Sequence, residues 1–266
     1  MIVTSCKTNR LTNPMGFDCN PLRFSWIVEE SAGKAQEWAR TRYYWRVTVM
    51  SDAGDFAVSV PAWFETGICE TVLPAQWITP KLEPTGHPYM RRAFMLPAPV
   101  ASARLYATGL GLYHMKINDR PVSEERHVPF CNAYDHWIQL QTYDVTAHLQ
   151  AGENCIGAML GRGWARSRMS SRLDAGDNYC DRFGLLAALY VTLADGTAYV
   201  LGTDETWQVA PSPVLHSDIY DGETYDARLA NAAWSTTGAF ESAVGVDVWA
   251  HGLGPVRDRL SPPLLV

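Results

Sequence analysis

The 266-residue sequence lacks a surplus of basic residues and any long apolar run. Its 22 Lys and Arg residues are outnumbered by 28 Asp and Glu residues, which gives a net charge of -6. A chain without a basic surface does not attract nucleic acid or an anionic membrane, so we expect neither partner. No stretch approaches the roughly eighteen apolar residues of a membrane span, and the N-terminus has no apolar segment of signal-peptide length. We therefore expect a cytoplasmic protein.

Common catalytic and redox motifs are missing as well. The sequence contains no GxSxG, no GxGxxG after a strand with the required acidic residue, and no phosphate-binding loop. Its six cysteines are scattered without CxxC spacing and without histidines at ligand spacing. Neither a zinc site nor a thiol redox centre is indicated. Unpaired cysteines are usually buried, so we expect free and mostly buried thiols.

Helical periodicity is scarce, and strand patterns dominate. Segments rich in β-branched and aromatic residues recur, several of them alternating, and turn signals such as Ala194-Asp195-Gly196-Thr197 separate them. A weak helical pattern covers residues 32 to 42, and residues 143 to 152 suggest a single turn. We expect Trp77 and Trp207 to anchor the core. The sequence therefore predicts an all-β protein built from sandwiches.

A domain boundary is predicted near residues 68 to 80, where prolines interrupt the strand pattern. Residues 1–70 hold only three strand-like blocks, fewer than an immunoglobulin sandwich of about seven strands needs. We therefore expect a short, incomplete fibronectin-III or immunoglobulin-like segment. Residues 71–255 are long enough for an eight-stranded jelly-roll sandwich. Residues 256–266 are predicted to form a C-terminal tail.

The most acidic segment is SDIYDGETYDAR, residues 217 to 228. Asp221, Glu223 and Asp226 are candidate catalytic carboxylates if the segment lines a cleft, since two carboxyl groups with different pKa values can act as general acid and general base. The alternative is a turn at Asp221-Gly222, with Glu223 or Asp226 paired to Arg228 and the interleaved tyrosines packed beneath. Both possibilities remain open on the residues alone.

A second candidate is GRGWARSR, residues 161 to 168. Two glycines after an apolar strand indicate an abrupt turn. Trp164 beside Arg162 and Arg166 would suit a sugar face with hydrogen-bonding neighbours. Trp164 would equally suit a lid over the core, which is the commoner fate of tryptophan in a sandwich. The histidines have no acidic or Cys partner at a catalytic spacing, so satisfied or exposed imidazoles are the expectation.

Together, a series of blocks along the chain resembles the N-terminal region of bacterial α-L-rhamnosidases. The resemblance runs from about Asn13 to the C-terminus, and the blocks occur in the order found in that family. The blocks are TRYYWRV and PAWFETG, then ATGLGLYHMKIND, TYDVTAHLQAGENCIGAMLGRGW, LADGT, LGTDETWQVAPSPV and SDIYDGETYDAR.

The resemblance implies a fibronectin-type sandwich followed by a jelly roll. It also implies that the catalytic part of the family is not expected within this sequence. In that family the catalytic carboxylates lie in an (α/α)6 barrel further along the polypeptide, and this sequence stops before such a barrel. Near Gln36-Glu37 the chain is also shorter than family members. We therefore expect no catalytic residue here, and a downstream catalytic domain is an expected partner that the 217 to 228 loop would contact.

The sequence requires no cofactor. Calcium is the one cofactor for which it offers a candidate site. Asp174, Asp177, Asn178 and Asp181 supply the oxygen ligands that Ca²⁺ takes, although their spacing is not that of an EF-hand. An exposed polar loop is the alternative. Some sandwich domains that this one resembles bind rhamnose through calcium, which adds Asp177 and Asn178 to the candidate sugar ligands.

These observations predict a non-catalytic part of an α-L-rhamnosidase-type glycoside hydrolase that binds or positions rhamnose-containing glycans. One alternative is a purely structural segment that packs against a catalytic barrel. The other is a stand-alone glycoside hydrolase that uses the 217 to 228 loop.

Overall fold

A computed structural model describes residues 4–18, 23–27, 39–50, 53–69, 71–81, 86–167, 178–260 and 262–265. The chain divides into two compact units. Unit 1 comprises Met1–Val72 and Arg257–Pro262, and unit 2 comprises Leu73–Val256 and Pro263–Val266. The predicted all-β class is confirmed, because the only α-helix among the described residues is four residues long.

Unit 1 contains more strands than the three blocks that the sequence pattern predicted. Its strands are β1 Thr4–Thr8, β2 Met15–Phe17, β3 Phe24–Ile27, β4 Arg42–Trp45, β5 Thr48–Met50, β6 Phe56–Val58 and β7 Ala62–Thr66. The antiparallel pairs are β1 with β3, β4 with β7, and β5 with β6, whereas β2 lies parallel to β7. All seven of these strands are three to five residues long, too short for the alternation of side chains to be read from the sequence.

The core of unit 1 is small and aromatic. Phe64 is 1% exposed, and the Tyr43 ring stacks on it at a centroid distance of 5.0 Å. Val47 and Val49 form a separate buried cluster against Cys6 and Trp45. Because small domains bury a smaller fraction of their surface, this unit depends on few large side chains.

Unit 2 carries thirteen strands in its described part. They are β8 Ile78–Pro80, β9 Pro88–Leu96, β10 Val100–Leu110, β11 Leu112–Ile117, β12 Arg120–Pro121, β13 Ile138–Asp144, β14 Gly152–Gly161, β15 Gly184–Leu193, β16 Ala198–Gly202, β17 Gln208–Pro211, β18 Val214–Asp218, β19 Gly222–Tyr225 and β20 Val244–Val248. A last strand, β21, covers Val256–Asp258. The helix α1 is Gly163–Arg166, and short 3₁₀ turns cover Thr146–His148, Ala227–Leu229 and Ala232–Ser235.

Two layers of antiparallel strands form the sandwich of unit 2. One layer follows the order β12-β11-β14-β9-β17, and the other contains β8, β15, β10 and β13, with β16 pairing β15. Strand β20 pairs with both β17 and β8, so it joins the layers at one edge. Strands β18 and β19 form a separate two-stranded hairpin.

The core of unit 2 lies between these layers. Strand β11 alternates half-buried and buried side chains, and Tyr113, Met115 and Ile117 point into a cluster that also takes residues from β9, β10, β14 and β15. Trp207 is 2% exposed and its indole N–H donates to the Gly202 carbonyl oxygen, which confirms its predicted place in the core. Trp77 is only half-buried and packs on a smaller cluster.

The predicted turns are mostly confirmed. Gly196 has φ +85 in the turn between β15 and β16, and residues 143 to 152 contain the 3₁₀ turn. Most of the weak helical pattern at 32 to 42 lies outside the described residues. No helix in the described part of the chain has the length and apolarity needed to cross a membrane.

The expectation of mostly buried thiols is wrong for the described cysteines. All five are free, yet only Cys155 is buried, and burial raises the pKa of its thiol to about 11. Cys69 and Cys131 are exposed because both lie outside the strands, where side chains are not enclosed between layers.

Candidate functional site

The acidic segment at 217 to 228 forms the hairpin of β18 and β19. Ser217 lies opposite Glu223 in the ladder, and Gly222 begins β19 with φ +75, a backbone conformation that glycine adopts without strain. The predicted turn at Asp221-Gly222 is therefore confirmed.

Asp226 rather than Glu223 forms the predicted ion pair with Arg228. The Arg228 Nη2 lies 2.6 Å from Asp226 Oδ2, and its Nε donates to Oδ1 at 2.8 Å. These hydrogen bonds hold the pKa of the Asp226 carboxyl below its usual value. Tyr220 and Tyr225 are 59% and 55% exposed, so the expectation that they pack beneath the loop is wrong. The hairpin is a two-stranded sheet of its own and does not enclose them.

A buried carboxylate connects this hairpin to the segment at 161 to 168. Asp218 is 8% exposed, its Oδ1 accepts a hydrogen bond from the Tyr220 backbone N–H, and its Oδ2 lies 3.7 Å from Arg162 Nη1. Arg162, a candidate sugar ligand, is thus within ion-pair distance of Asp218. The contact places the hairpin beside helix α1.

Helix α1 begins at Gly163, whose φ is +50. A Cβ at this position would lie 2.5 Å from Leu112 Cγ, so the abrupt turn requires glycine. Trp164 is half-buried and packs against the cluster of Leu110, Tyr134 and Ile138, and its ring forms a T-shaped contact with His127. This position is closer to the core-lid alternative than to an open sugar face.

Arg166 is buried in the interior. It is 3% exposed, its Nη2 donates to the Asp181 carbonyl oxygen at 2.8 Å, and its guanidinium lies 4.2 Å from the centre of the Phe183 ring. A buried guanidinium with a carbonyl acceptor and an aromatic face stabilises the local fold. Arg166 does not stand on an open surface beside Trp164.

A hollow of about 540 Å³ lies beside this region, between residues 178–181 and 249–253. Tyr179, Trp249 and His251 supply aromatic rings, and Asn178 and Asp181 supply polar side chains at its edge. The Arg182 guanidinium lies 5.5 Å from the Trp249 ring centre and 3.3 Å from Asp181 Oδ1. We name this feature the aromatic hollow.

The aromatic rings of the hollow are fixed by contacts with one another and with Trp77. His251 packs edge-on against Trp77 at 4.7 Å and against Trp249 at 5.6 Å. Burial lowers the pKa of His251, so this imidazole is neutral at pH 7. Its Nδ1 lies 3.2 Å from the Leu253 backbone nitrogen and accepts that hydrogen bond. The hollow therefore presents neutral aromatic surface next to an exposed Asp-Arg pair.

The candidate calcium ligands are only partly placed. Asp174 and Asp177 lie outside the described residues, whereas Asn178 and Asp181 line the aromatic hollow. Among the residues that the structure describes, no group of three His, Cys, Asp or Glu side chains is arranged to hold a metal ion. The calcium site stays a prediction.

Sequence reasoning missed Tyr179, Trp249 and His251 as a site. Residues 179 and 249 are seventy positions apart, and each alone has the pattern of an ordinary aromatic residue. It also missed that Ser217 and Glu223 line a separate cleft with His87. No spacing connects those residues, because they come from different strands of the fold.

Comparison with known proteins supports the resemblance seen in the sequence. A family model described as "Alpha-L-rhamnosidase N-terminal domain" matches residues 98–265. A second, described as "Rha78A-like, N-terminal immunoglobulin domain", matches residues 37–70. The second match agrees with the small sandwich-like unit 1.

Similar proteins are α-L-rhamnosidases. One from Streptomyces avermitilis is 32% identical over 94% of this chain, and one from Formosa agariphila is 36% identical over 56% of it. The chain spans about a quarter of the length of the Streptomyces relative and 16% of the Formosa relative.

Solved structures show the same fold. The crystal structure of Streptomyces avermitilis α-L-rhamnosidase complexed with L-rhamnose superposes with a TM-score of 0.89 at 19% identity, over 98% of this chain and 46% of that one. Native α-L-rhamnosidase from Aspergillus terreus gives 0.77 at 28% identity, over 91% of this chain and 30% of that one. With the first family model covering more than half of its residues, this chain belongs to the α-L-rhamnosidase N-terminal domain family.

Proposed function

We propose that this chain is a non-catalytic, carbohydrate-binding part of an α-L-rhamnosidase-type glycoside hydrolase and takes rhamnose-containing glycans in the aromatic hollow. The observation that carries the proposal is the meeting of Trp249 and Tyr179 with Asn178 and Asp181 around one 540 Å³ concavity. Sugar rings need an apolar face for packing and polar neighbours for their hydroxyl groups.

The chemistry of the hollow suits a deoxy sugar. Rhamnose presents C–H groups and a methyl group to the Trp249 ring, which buries apolar surface without ordering a flexible side chain. The exposed Asp181 carboxylate accepts hydrogen bonds from sugar hydroxyls, and Arg182 donates to them. Because both polar groups sit at the edge of the aromatic surface, they orient the ring that the aromatic face holds.

Calcium enters the proposal through Asn178 and Asp181, which line the hollow, and through the acidic residues that precede them in the sequence. Asp174, Asp177, Asn178 and Asp181 would supply carboxylate and amide oxygens to the ion, the ligand types that Ca²⁺ selects. The ion would take further oxygen ligands from sugar hydroxyls. Loss of sugar binding in chelator would therefore implicate the 174 to 181 segment.

Isothermal titration of the purified chain with L-rhamnose and with a rhamnosylated oligosaccharide tests the proposal, each with added calcium and with chelator. We expect binding by the native chain and at least a tenfold loss in Trp249→Ala, since one aromatic contact contributes about 1.5 kcal/mol. Tyr44→Ala is the matched control, because Tyr44 is a 68% exposed aromatic in unit 1. Absence of heat with both ligands under both conditions would overturn the proposal.

A second function is favoured by the hairpin of β18 and β19, where apolar side chains cluster on the surface. Leu215, Ile219, Tyr220, Tyr225 and Leu229 are 40% to 59% exposed within fifteen residues. Clustered exposed apolar side chains mark contact surfaces. We infer that this hairpin packs against a catalytic region of the kind found in the longer relatives.

A binding experiment tests this second function directly. The Streptomyces avermitilis relative is produced without the segment that matches this chain, and the shortened protein is titrated with this chain. We expect an interaction that Tyr220→Ser with Tyr225→Ser abolishes and that Tyr44→Ser leaves intact. An interaction insensitive to the hairpin variant, or none at all, would contradict the docking role.

A further inference from the structure

A second concave site lies in unit 2, and none of its lining residues belongs to the aromatic hollow. This cleft has a volume of about 330 Å³. Its walls come from the ends of β9, β11, β14 and the β18–β19 hairpin, together with the segment before the core residue Val128. The side chains that matter chemically are His87, His114, Glu125, Arg126, Ser217 and Glu223.

His87 lines this cleft with a ring nitrogen that can accept a hydrogen bond. It is 4% exposed, and its Nδ1 lies 3.0 Å from the Leu160 carbonyl oxygen. A carbonyl only accepts, so the proton of the neutral ring sits on Nδ1 and the lone pair sits on Nε2. Because His87 lines the cleft, a ligand hydroxyl group there can donate a hydrogen bond to Nε2.

The ring stays neutral at physiological pH. Burial, with Arg162, His216 and Arg166 nearby, lowers the pKa of His87 to about 4. His114 stands on the outward face of β11, and burial together with Lys116 and Arg126 also lowers its pKa. Both imidazoles therefore face a ligand as neutral groups.

The hairpin of β18 and β19 also contributes a carboxylate to the cleft. Glu223 on β19 is paired directly with Ser217 on β18. Arg228 forms its ion pair with Asp226. In the described part of the chain, the Glu223 carboxylate has no hydrogen-bond or ion-pair partner. Glu223 is exposed, so its charge is solvated until a ligand replaces water. A carboxylate beside a serine hydroxyl is an acceptor pair suited to adjacent ligand hydroxyl groups.

Charge and geometry limit the ligand class. The side chains around the cleft include Glu125, Glu223 and Arg126, so no strong field of one sign selects an ion. The histidines and carboxylates are also too dispersed to form a metal group within the described residues. Leu112, Met159 and Val214 supply apolar wall between the polar groups. This mixture suits a neutral molecule with both hydroxyl and C–H surface.

We propose that this cleft binds a neutral polyhydroxylated ligand of about one sugar ring, whose hydroxyl groups donate to His87 Nε2 and to the Glu223 carboxylate. Its volume is at the lower end of the roughly 300 to 1,000 Å³ of small-molecule sites, which fits a monosaccharide unit. The proposal is independent of the aromatic hollow, since the two sites share no residue.

The test follows the imidazole ¹⁵N signals of the intact chain during titration with L-rhamnose, D-glucose and D-galactose. We expect the signals of His87 and His114 to shift with at least one sugar, with a Kd of about 1 mM, as few contacts form. Glu223→Gln should weaken that titration about tenfold, because a charge-assisted hydrogen bond is lost. Glu223 is exposed, so this substitution does not disturb the core.

Glu205→Gln is the matched control, an exposed carboxylate elsewhere in unit 2. It should leave the titration unchanged, and Trp249→Ala should leave the His87 shift unchanged while removing any binding at the aromatic hollow. The proposal is overturned if none of the three sugars shifts the His87 and His114 signals. It is equally overturned if Glu223→Gln and Glu205→Gln titrate alike.

Discussion

At the residue scale, burial displaces the pKa values of Asp258 and His87 from their ordinary range. Burial raises the pKa of Asp258 even though its oxygens accept hydrogen bonds from the backbone N–H groups of Ile68 and Cys69. Burial lowers the pKa of His87 to about 4. In both cases burial disfavours the charged form of the side chain, because the protein interior solvates charge poorly. Both residues should therefore affect the free energy of unfolding measurably.

Acid should destabilise unit 2 through His87. The unfolded chain binds a proton near pH 6.5 and the folded chain only near pH 4, so stability falls as the pH drops through that interval. The expected loss between pH 7 and pH 4.5 is about 2 kcal/mol, since most of that range lies between the two pKa values. Urea unfolding at pH 7 and pH 4.5 measures it.

His87→Gln should flatten that pH dependence in part, with the remainder coming from His114 and His251, whose pKa values are also lowered. His136→Gln is the control, since its side chain is 79% exposed. An unchanged slope in His87→Gln would contradict the assignment.

Asp258→Ala should destabilise unit 1. The substitution leaves the backbone N–H groups of Ile68 and Cys69 without the acceptors that lie at 2.8 and 2.9 Å. We expect a loss of about 2 kcal/mol in the free energy of unfolding, measured in urea. Asp247→Ala removes an exposed pair with Lys81 and should cost less than about 1 kcal/mol. Equal losses would show that the two amides do not depend on Asp258.

At the element scale, the 3₁₀ turn Ala232–Ser235 packs on the outer face of β14 because β14 carries glycine there. A Cβ at Gly157 would overlap the Trp234 carbonyl oxygen and lie 2.9 Å from Trp234 Cε3. Trp234 is 7% exposed and stacks on Tyr89 at 5.0 Å. Arg91 fixes the same segment through the carbonyl oxygens of Ala233, Thr236 and Gly238.

Gly157→Ala should therefore displace this turn and destabilise the chain by about 1 to 3 kcal/mol, as overpacking does. Gly238→Ala is the matched control, because the nearest atom to its added Cβ is 3.6 Å away. Thermal unfolding, with tryptophan fluorescence as a report on Trp234, distinguishes the two. A Gly157→Ala chain as stable as the control would show that the turn shifts without cost.

Strand patterns long enough to alternate could be predicted from the sequence, and shorter or bent ones could not. The half-buried and buried positions of β11 follow its sequence, whereas β5 and β6, three residues each, carry no readable period. Arg166 illustrates the limit at the site. Its sequence neighbours suggested an exposed sugar contact, yet tertiary packing places it under Phe183.

At the scale of the whole molecule, both concave sites are products of topology. The aromatic hollow joins residues 178–181 with 249–253, and the cleft joins His87 with Glu223. The resemblance to a family predicted the sandwiches, because fold follows from many matching blocks. It predicted neither concavity, because side chains that line a cavity come from strands distant in sequence.

We expect the chain to leave an aryl α-L-rhamnoside unhydrolysed. Hydrolysis needs one carboxyl group with a raised pKa as acid and a second carboxylate at a fixed distance. Asp226 is held by Arg228, which lowers its pKa. Asp258, a carboxyl whose pKa burial raises, is bound by two backbone amides. Release of the aryl group is measured at several pH values, with the Streptomyces avermitilis relative as positive control. Turnover by this chain that Glu223→Gln abolishes and Glu205→Gln preserves would reverse the conclusion, because Glu223 would then be a catalytic carboxylate of the cleft.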